Sequence, residues 1–432
     1  MTKIHKNLFS FPSLLTLVIL GVGISVNAAV QLTLEQATQE AEANSPSFQS
    51  MKASAESARW RRVEAYSNFL PSLSVQALRV LDYKYQTFDV SLGGPTIAFP
   101  EILPNTAATL NAYLPLFDGF ANLNRYRASS RLESASTHDL NWAQFQLKQD
   151  IKLKFYEAVA AQKLADVAKQ NVKTLEDHLQ KTQVQKRGGV STQFDVLRIE
   201  VQLSDAKAEE IQASDNVEIS RKALTEVMGL DSDTRDVVGD LPNPELSSVQ
   251  SLQIPKPEAR EDYQALLARD EATSQLSKTA NVYWVPKIGL SYQYNYYNNR
   301  DNTFLDGQNY KNAWELGLSL TWNLFDGMAS IARSHEADAE YVKSQKLVRQ
   351  SALHIPVAFD NWKKRFETAS VIYKAKVLNV SRAQASRINS EVLDAELDLF
   401  RARAGVVSTQ LSAEQALINL ESVVGRKIES GK

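Results

Sequence analysis

From Phe120 to Lys186 the chain contains neither proline nor glycine, and that run limits the possible folds more than any other feature. It is rich in Ala, Leu, Lys, Gln and Glu, the good helix formers. At 1.5 Å per residue, one helix of that length reaches about 100 Å. No globular domain needs such a helix, and with few apolar positions per turn it should pack as a coiled coil. Gly188-Gly189 ends the run, and Thr192-Gln193-Phe194-Asp195 opens the next helix with a capping-box pattern. That helix is expected over 192–228, with Gly229 as its C-terminal cap.

The same order of elements is written twice. Gln49, Ala53, Glu56 and Pro71 recur 215 residues later as Gln264, Ala268, Glu271 and Pro286. Leu116-Phe117-Asp118-Gly119 and Arg125 recur 208 residues later as Leu324-Phe325-Asp326-Gly327 and Arg333. Leu197, Glu200, Leu203, Ala206, Leu224, Val227 and Gly229 recur 196 residues later, between Leu393 and Gly425. A period near 200 is far longer than a solenoid unit and reads as two fused copies of one subunit. Repeat 1 is placed at 29–229, with a helix, strands 72–83 and 106–117, a long helix 120–186 and a helix 192–228. Repeat 2 is placed at 258–432, with a helix, strands 287–297 and 313–325, a long helix 328–386 and a helix 390–425. Pro356 should kink that second long helix. Residues 230–257, with Pro242, Pro244, Pro255 and Pro257, form an irregular linker or equatorial region.

The expected strands of repeat 2 alternate, and those of repeat 1 do so less cleanly. Ile288, Leu290, Tyr292, Tyr294 and Tyr296 are separated by polar residues or glycine, and Trp314, Leu316, Leu318, Leu320, Trp322 and Leu324 likewise. Runs of about ten residues with this alternation suit outer-membrane strands, and Tyr292, Tyr294, Trp314 and Trp322 are the candidate membrane-facing aromatic girdle. A half-buried strand of a soluble sheet has the same period. Polar connections at 86–105 and 298–312 would be external loops. Four strands cannot close a barrel, and an open edge cannot exist in lipid. Two chains give eight strands and a filled interior, whereas three give twelve and a lumen.

The N-terminus fits such a destination. Lys3, His5 and Lys6 precede the apolar run Leu14–Ile24, and Val26-Asn27-Ala28 supplies small residues for cleavage, so 1–28 reads as a signal peptide. Its loss moves the net charge from −2 to about −4, with no basic excess to recruit nucleic acid. Beyond it no apolar run is long enough for a spanning helix. The chain has no cysteine, which excludes thiol catalysis, metal-thiolate sites and stabilisation by disulfides. Its five histidines (5, 138, 178, 335, 354) are scattered, and His335-Glu336 lacks a second His at Ala339. No catalytic residue, cofactor site or metal site is expected.

Signal, duplication, proline-led strands, Leu-Phe-Asp-Gly after each strand pair and the segment Arg387-Ile388-Asn389-Ser390-Glu391-Val392-Leu393-Asp394-Ala395 together resemble the TolC-like outer-membrane efflux proteins. The resemblance covers essentially the whole mature chain. It implies a mixed α/β membrane protein, two tandem repeats each giving two transmembrane β-strands and long coiled-coil helices. It further implies a homotrimeric 12-stranded β-barrel continued by a periplasmic α-helical barrel. The implied role is the outer-membrane exit duct of a tripartite efflux or type I secretion system. Cargo would pass without catalysis from an inner-membrane pump of RND, ABC or MFS type, through a periplasmic adaptor (membrane fusion) protein. The resemblance also implies that Glu391 and Asp394 line the aperture at the periplasmic tip and that Arg387 helps to hold it shut. Two positions depart from the family pattern: Glu391 stands where Asp is expected, and Ala385 where a tip turn carries glycine. From the residues alone, Glu391 and Asp394 also suit the solvated acidic first turn that a helix dipole favours. A periplasmic coiled-coil adaptor or scaffold without a membrane barrel is the alternative from another class, and a secreted enzyme would need a site that the sequence does not display.

Overall fold

The computed structural model describes residues 31–81, 87–91, 93–100, 105–233, 235–298, 310–386 and 392–428. The expected signal at 1–28 lies outside them. Two short helices, α1 (Leu34–Asn44) and α2 (Pro46–Ser67), lead to strand β1 (Ser72–Arg79), a small hairpin β2 (Thr87–Val90) and β3 (Ile97–Pro100), and strand β4 (Thr106–Phe117). The 67-residue helix α3 (Ala121–Arg187) and its antiparallel partner α4 (Gln193–Met228) follow. A one-turn helix α5 (Ser247–Gln250) and a 3-10 turn at Pro257–Ala259 lie between the halves. Then come α6 (Glu261–Asn281), strands β5 (Lys287–Asn298) and β6 (Lys311–Thr321), and helices α7 (Ala329–Ser386) and α8 (Val392–Val424).

Local chemistry explains the long helices' ends. Each copy of Leu-Phe-Asp-Gly turns the chain from strand into helix. Gly119 and Phe120 both take positive φ (73° and 67°), as do Gly327 and Met328 (68° and 70°). The aspartate between then caps the helix: Asn122 N donates to Asp118 Oδ2 at 2.7 Å, and Ser330 N to Asp326 Oδ2 at 3.0 Å. These bonds satisfy N–H groups that a helix start leaves orphaned. At the far end of α3, Gly189 supplies φ 76°, and Val190 N donates to Gln185 O at 2.9 Å. Pro356 sits inside α7 without ending it.

Helix α3 is the spine. It packs along α4 and α6 and also touches α1, α2 and α8. One buried cluster joins Leu147, Ile151, Phe155 and Val159 of α3 to Ala37, Phe48, Leu224, Met228 and Leu241. A second joins Phe359 and Phe366 of α7 to Ala413, Ala416, Leu420 and Val424 of α8, with Val249 and Ile428. They sit near the middle of α3 and α7 and at the C-terminal ends of α4 and α8. Further out, the α3–α4 pair is held by a thin seam of Val172, Leu175, Leu203 and Ala206.

The main sheet has the order β1-β4-β5-β6, antiparallel throughout. Its central pair is β4 against β5, so strands from the two halves of the chain are neighbours. Among the described residues both edges, β1 and β6, are unpaired.

Candidate functional site: membrane sheet and helical tip

The strand register sorts the sheet's side chains into two unlike faces. On one face Leu73, Ala112, Tyr292 and Leu316 lie in one row across the four strands, and Val75, Leu110, Tyr294 and Trp314 in the next. On the other, Ser74, Asn111, Gln293 and Glu315 form a row beside Gln76, Thr109, Asn295 and Ala313. The polar side chains bond among themselves: Thr109 Oγ1 donates to Asn295 Oδ1 at 2.8 Å, and Gln293 Nε2 donates to the same oxygen at 3.1 Å. The apolar face is bare. Val75, Leu316, Leu318 and Leu320 are 60–72 % exposed, and none of the described elements covers them.

Aromatic residues mark the ends of these strands. Trp314 pairs with Tyr294 in the register, and Tyr296 stacks on Tyr310 at 4.7 Å between ring centroids. At the helix-proximal end, Trp322 lies just past β6 and donates Nε1 to the carbonyl of Trp284 at 2.9 Å. Of the four aromatic residues expected from the alternation, Tyr292, Tyr294 and Trp314 are on strands, and Trp322 is on the turn that leaves β6. Trp284, Tyr283, Phe69 and Phe120, which the alternation did not single out, are also exposed at that end. The available signal was their position beside a strand-leading proline or the Asp-Gly turn, rather than any alternation.

Glycine allows one close approach within the sheet. A Cβ on Gly289 would lie 2.5 Å from the Tyr113 hydroxyl and 2.6 Å from its ring, so this ring crosses the polar face over Gly289.

At the opposite end of the helices, the α3–α4 turn is closed by a full capping box. Thr192 N donates to Asp195 Oδ2 at 2.8 Å, and Asp195 N donates to Thr192 Oγ1 at 3.2 Å. The backbone bond from Thr192, then its hydroxyl, hold the Asp195 carboxyl below the usual carboxylate range. Of the three expected tip residues, Arg387 and Glu391 lie outside the described residues. Asp394 has its backbone in the first turn of α8. Ala385 belongs to α7, which runs on to Ser386, so it does not occupy a left-handed turn. The reason is local: alanine is the best helix former and glycine among the worst, so the helix continues where the first copy has Gly189.

Between sheet and tip, ionic contacts brace the helices, and those of Lys152 join the two halves. Lys152 of α3 reaches Glu414 at 2.8 Å and Glu421 at 3.3 Å on α8. Glu421 Oε1 also accepts the N–H of Ile428 at 3.0 Å. Arg235 grips Glu40 at 2.8 and 2.6 Å and Asp233 at 2.7 Å. The hydrogen bonds to those two acids raise the arginine's pKa, and the Arg235 bond lowers that of Glu40. Arg260 donates to the Val423 carbonyl and to Asp262, under the Trp142 ring at 5.1 Å. An apolar groove of about 560 Å³ runs between α3 and the α7–α8 pair, lined by Val167, Val377, Val380, Val406 and Val407.

The sequence model of the outer membrane efflux protein family matches residues 37–230. No curated protein matches the chain. Its fold is that of solved outer-membrane channels. The outer-membrane channel OprN superposes with a TM-score of 0.76 at 18 % identity, over 91 % of this chain and 89 % of that one. CusC gives 0.72 at 14 %, over 92 % and 93 %. VceC of Vibrio cholerae gives 0.70 at 16 %, over 92 % and 97 %. Residues 37–230 thus resemble the outer membrane efflux protein family in sequence, and nearly the whole chain shares the fold of solved outer-membrane channels.

Proposed function

We propose that three copies of the chain close their sheets into one 12-stranded barrel, continued by a periplasmic tube of long helices, and that this assembly is the passive exit duct of a tripartite efflux or type I secretion system. The bare apolar face of a sheet with two unpaired edges carries the reading. In water that face would be a large sticky patch beside two pairing-competent edges. In lipid it is the required surface, once β6 of each copy meets β1 of the next. Eight residues separate Trp314 from Trp322, about 26 Å along a strand and less along the membrane normal once the strands tilt. Two aromatic belts at that spacing fit the apolar band of an outer-membrane barrel, about 25 Å tall. A periplasmic scaffold has no use for this face.

The face assignment makes a prediction. Leu318 stands midway between the two tryptophans on the apolar face, and Ser319 is its neighbour on the polar face. Leu318→Arg is expected to cost about 2–4 kcal/mol of barrel stability, whereas Ser319→Arg should be tolerated. The measurement is the fraction of each variant recovered from outer membranes as a detergent-extracted trimer. Equal recovery of both would refute the assignment.

For gating, the reading is that Glu391 and Asp394 from three copies narrow the tip and that Arg387 holds it closed. The first copy supports this by contrast. Its equivalent acid, Asp195, is engaged in a capping box with Thr192, whereas the residue equivalent to Thr192 is Ile388, which has no oxygen to complete one. Six carboxylates around one axis attract cations and repel anions. The valine groove between α3 and α7–α8 offers a periplasmic adaptor a helix-sized seat, and the pump behind the adaptor would select the cargo. In planar bilayers the wild type is expected to show small, cation-selective conductance, and Glu391→Ala/Asp394→Ala a larger, less selective one. An unchanged conductance would move the gate elsewhere. No conductance, with the protein extracted by urea rather than detergent, would sink the duct.

A further inference from the structure

Among the described residues, Glu315 is the sole acidic or basic side chain on the sheet's polar face away from the strand ends. Lys287 and Lys311 begin β5 and β6, and the remaining positions of that face are Ser, Thr, Asn, Gln, Gly, Ala, Leu, Pro or Tyr. Among the described residues Glu315 makes no hydrogen bond or ion pair. Its cross-strand neighbour is Gln293, and Gly317 and Ser291 beside it offer no charge. It also sits on β6, one of the two unpaired edges, so an adjoining copy decides what comes next to it.

That neighbour's contribution can be bounded without knowing the register. Joining β6 to β1 of another copy must keep both apolar faces on the same side, because a slip of one residue exchanges the faces. The side chains that β1 then brings to the Glu315 side are Ser72, Ser74, Gln76 and Leu78. Arg79 falls with Leu73, Val75 and Ala77 on the opposite face. In every allowed register, therefore, no strand residue of the neighbour neutralises Glu315.

We infer that three Glu315 carboxylates form a cation-favouring ring inside the barrel lumen, a selectivity element separate from the tip acids that concentrates cationic cargo and disfavours anionic cargo. The inference rests on the proposed trimeric closure. For twelve strands spaced about 4.8 Å apart, the three carboxylates stand roughly 15 Å from one another. That exceeds the Debye length at physiological salt, so each acts locally and the effect falls as salt rises.

Because the chain lacks cysteine, one introduced thiol reports on this site alone. Gln293→Cys places it across the strand pair from Glu315. The full-length protein is reconstituted in vesicles of neutral lipid at about 10 mM salt. It is then labelled with a cationic trimethylammonium and an anionic sulfonate methanethiosulfonate. The ratio of the two rates cancels any effect of Glu315 on the thiol itself. Adding Glu315→Gln is expected to lower the cation-to-anion ratio about fivefold, while Glu315→Asp keeps it within about twofold. About 1 M salt should erase the difference. Labelling with a ratio unmoved by Glu315→Gln would overturn the ring and leave the duct standing. No labelling at Gln293→Cys by either reagent, with Leu316→Cys labelled instead, would overturn the closure and the ring together.

Discussion

Lys152→Met is expected to destabilise the purified full-length protein by about 3–5 kcal/mol, read as a fall in its urea midpoint at constant slope. Among the described residues, the lysine alone pairs with two acids whose side chains are 5 % and 1 % exposed, Glu414 and Glu421. Burial by itself would lower the lysine's pKa, but the charges of Glu414 and Glu421 and the Glu414 hydrogen bond outweigh it, and the net direction is upward. A raised folded pKa means that the stabilisation is complete below the unfolded value, near 10.5, and is lost as pH rises through the folded one. The gap between wild type and variant should therefore hold through neutral pH and narrow only in alkali. The triple variant Lys152→Met/Glu414→Gln/Glu421→Gln should recover much of the loss, because breaking one partner of a buried pair costs more than removing all of it. If the triple variant is as unstable as the single, the defect is packing rather than charge.

Gly229→Ala is expected to cost on the order of 3 kcal/mol, whereas Gly425→Ala should cost about 1 kcal/mol. The two glycines are equivalent in the duplicated sequence, end α4 and follow α8, and share a φ of 75° and 77°. Left-handed backbone penalises any side chain in both by the same amount. The surroundings differ. A Cβ on Gly229 would stand 2.5 Å from the Asn44 carbonyl oxygen and 2.8 Å from Pro46 Cδ, at the corner between α1 and α2, where backbone cannot give way. On Gly425 it would stand 3.2 Å from Arg260 Cγ, a side chain able to move by a few tenths of an ångström. Thermal denaturation of the two variants side by side measures the difference. Equal losses would show that φ alone sets the cost.

Much of the architecture was legible because its causes are local. The absence of Pro and Gly from 120–186, the Gly188-Gly189 stop and the Thr192–Asp195 box act within a turn or two, and α3 and α4 begin and end beside them. Period-2 alternation likewise needs only the strand's own residues, so the apolar and polar faces of β5 and β6 could be assigned in advance. Less was legible at the helix-proximal end of the sheet, where Trp284 and Phe120 lie on turns with no period to reveal them. At the tip, the helix expected over 328–386 runs through Ala385 to Ser386, where alanine favours it.

The sequence by itself determined the inventory: two long helices, their partners, four strands of which the second pair alternates cleanly, and the Asp-Gly turns that join strand to helix. Backbone propensity, capping and burial preference are short-range effects, and each is written in neighbouring residues. The tertiary structure alone decided which parts meet. It set β4 beside β5, so that strands from different halves share the middle of the sheet and β1 and β6 are left as edges. It brought Lys152 to a carboxylate 269 positions away, and it gave two equivalent glycines unequal neighbours. Such contacts depend on how whole helices and sheets pack, and no window of neighbouring residues contains that information.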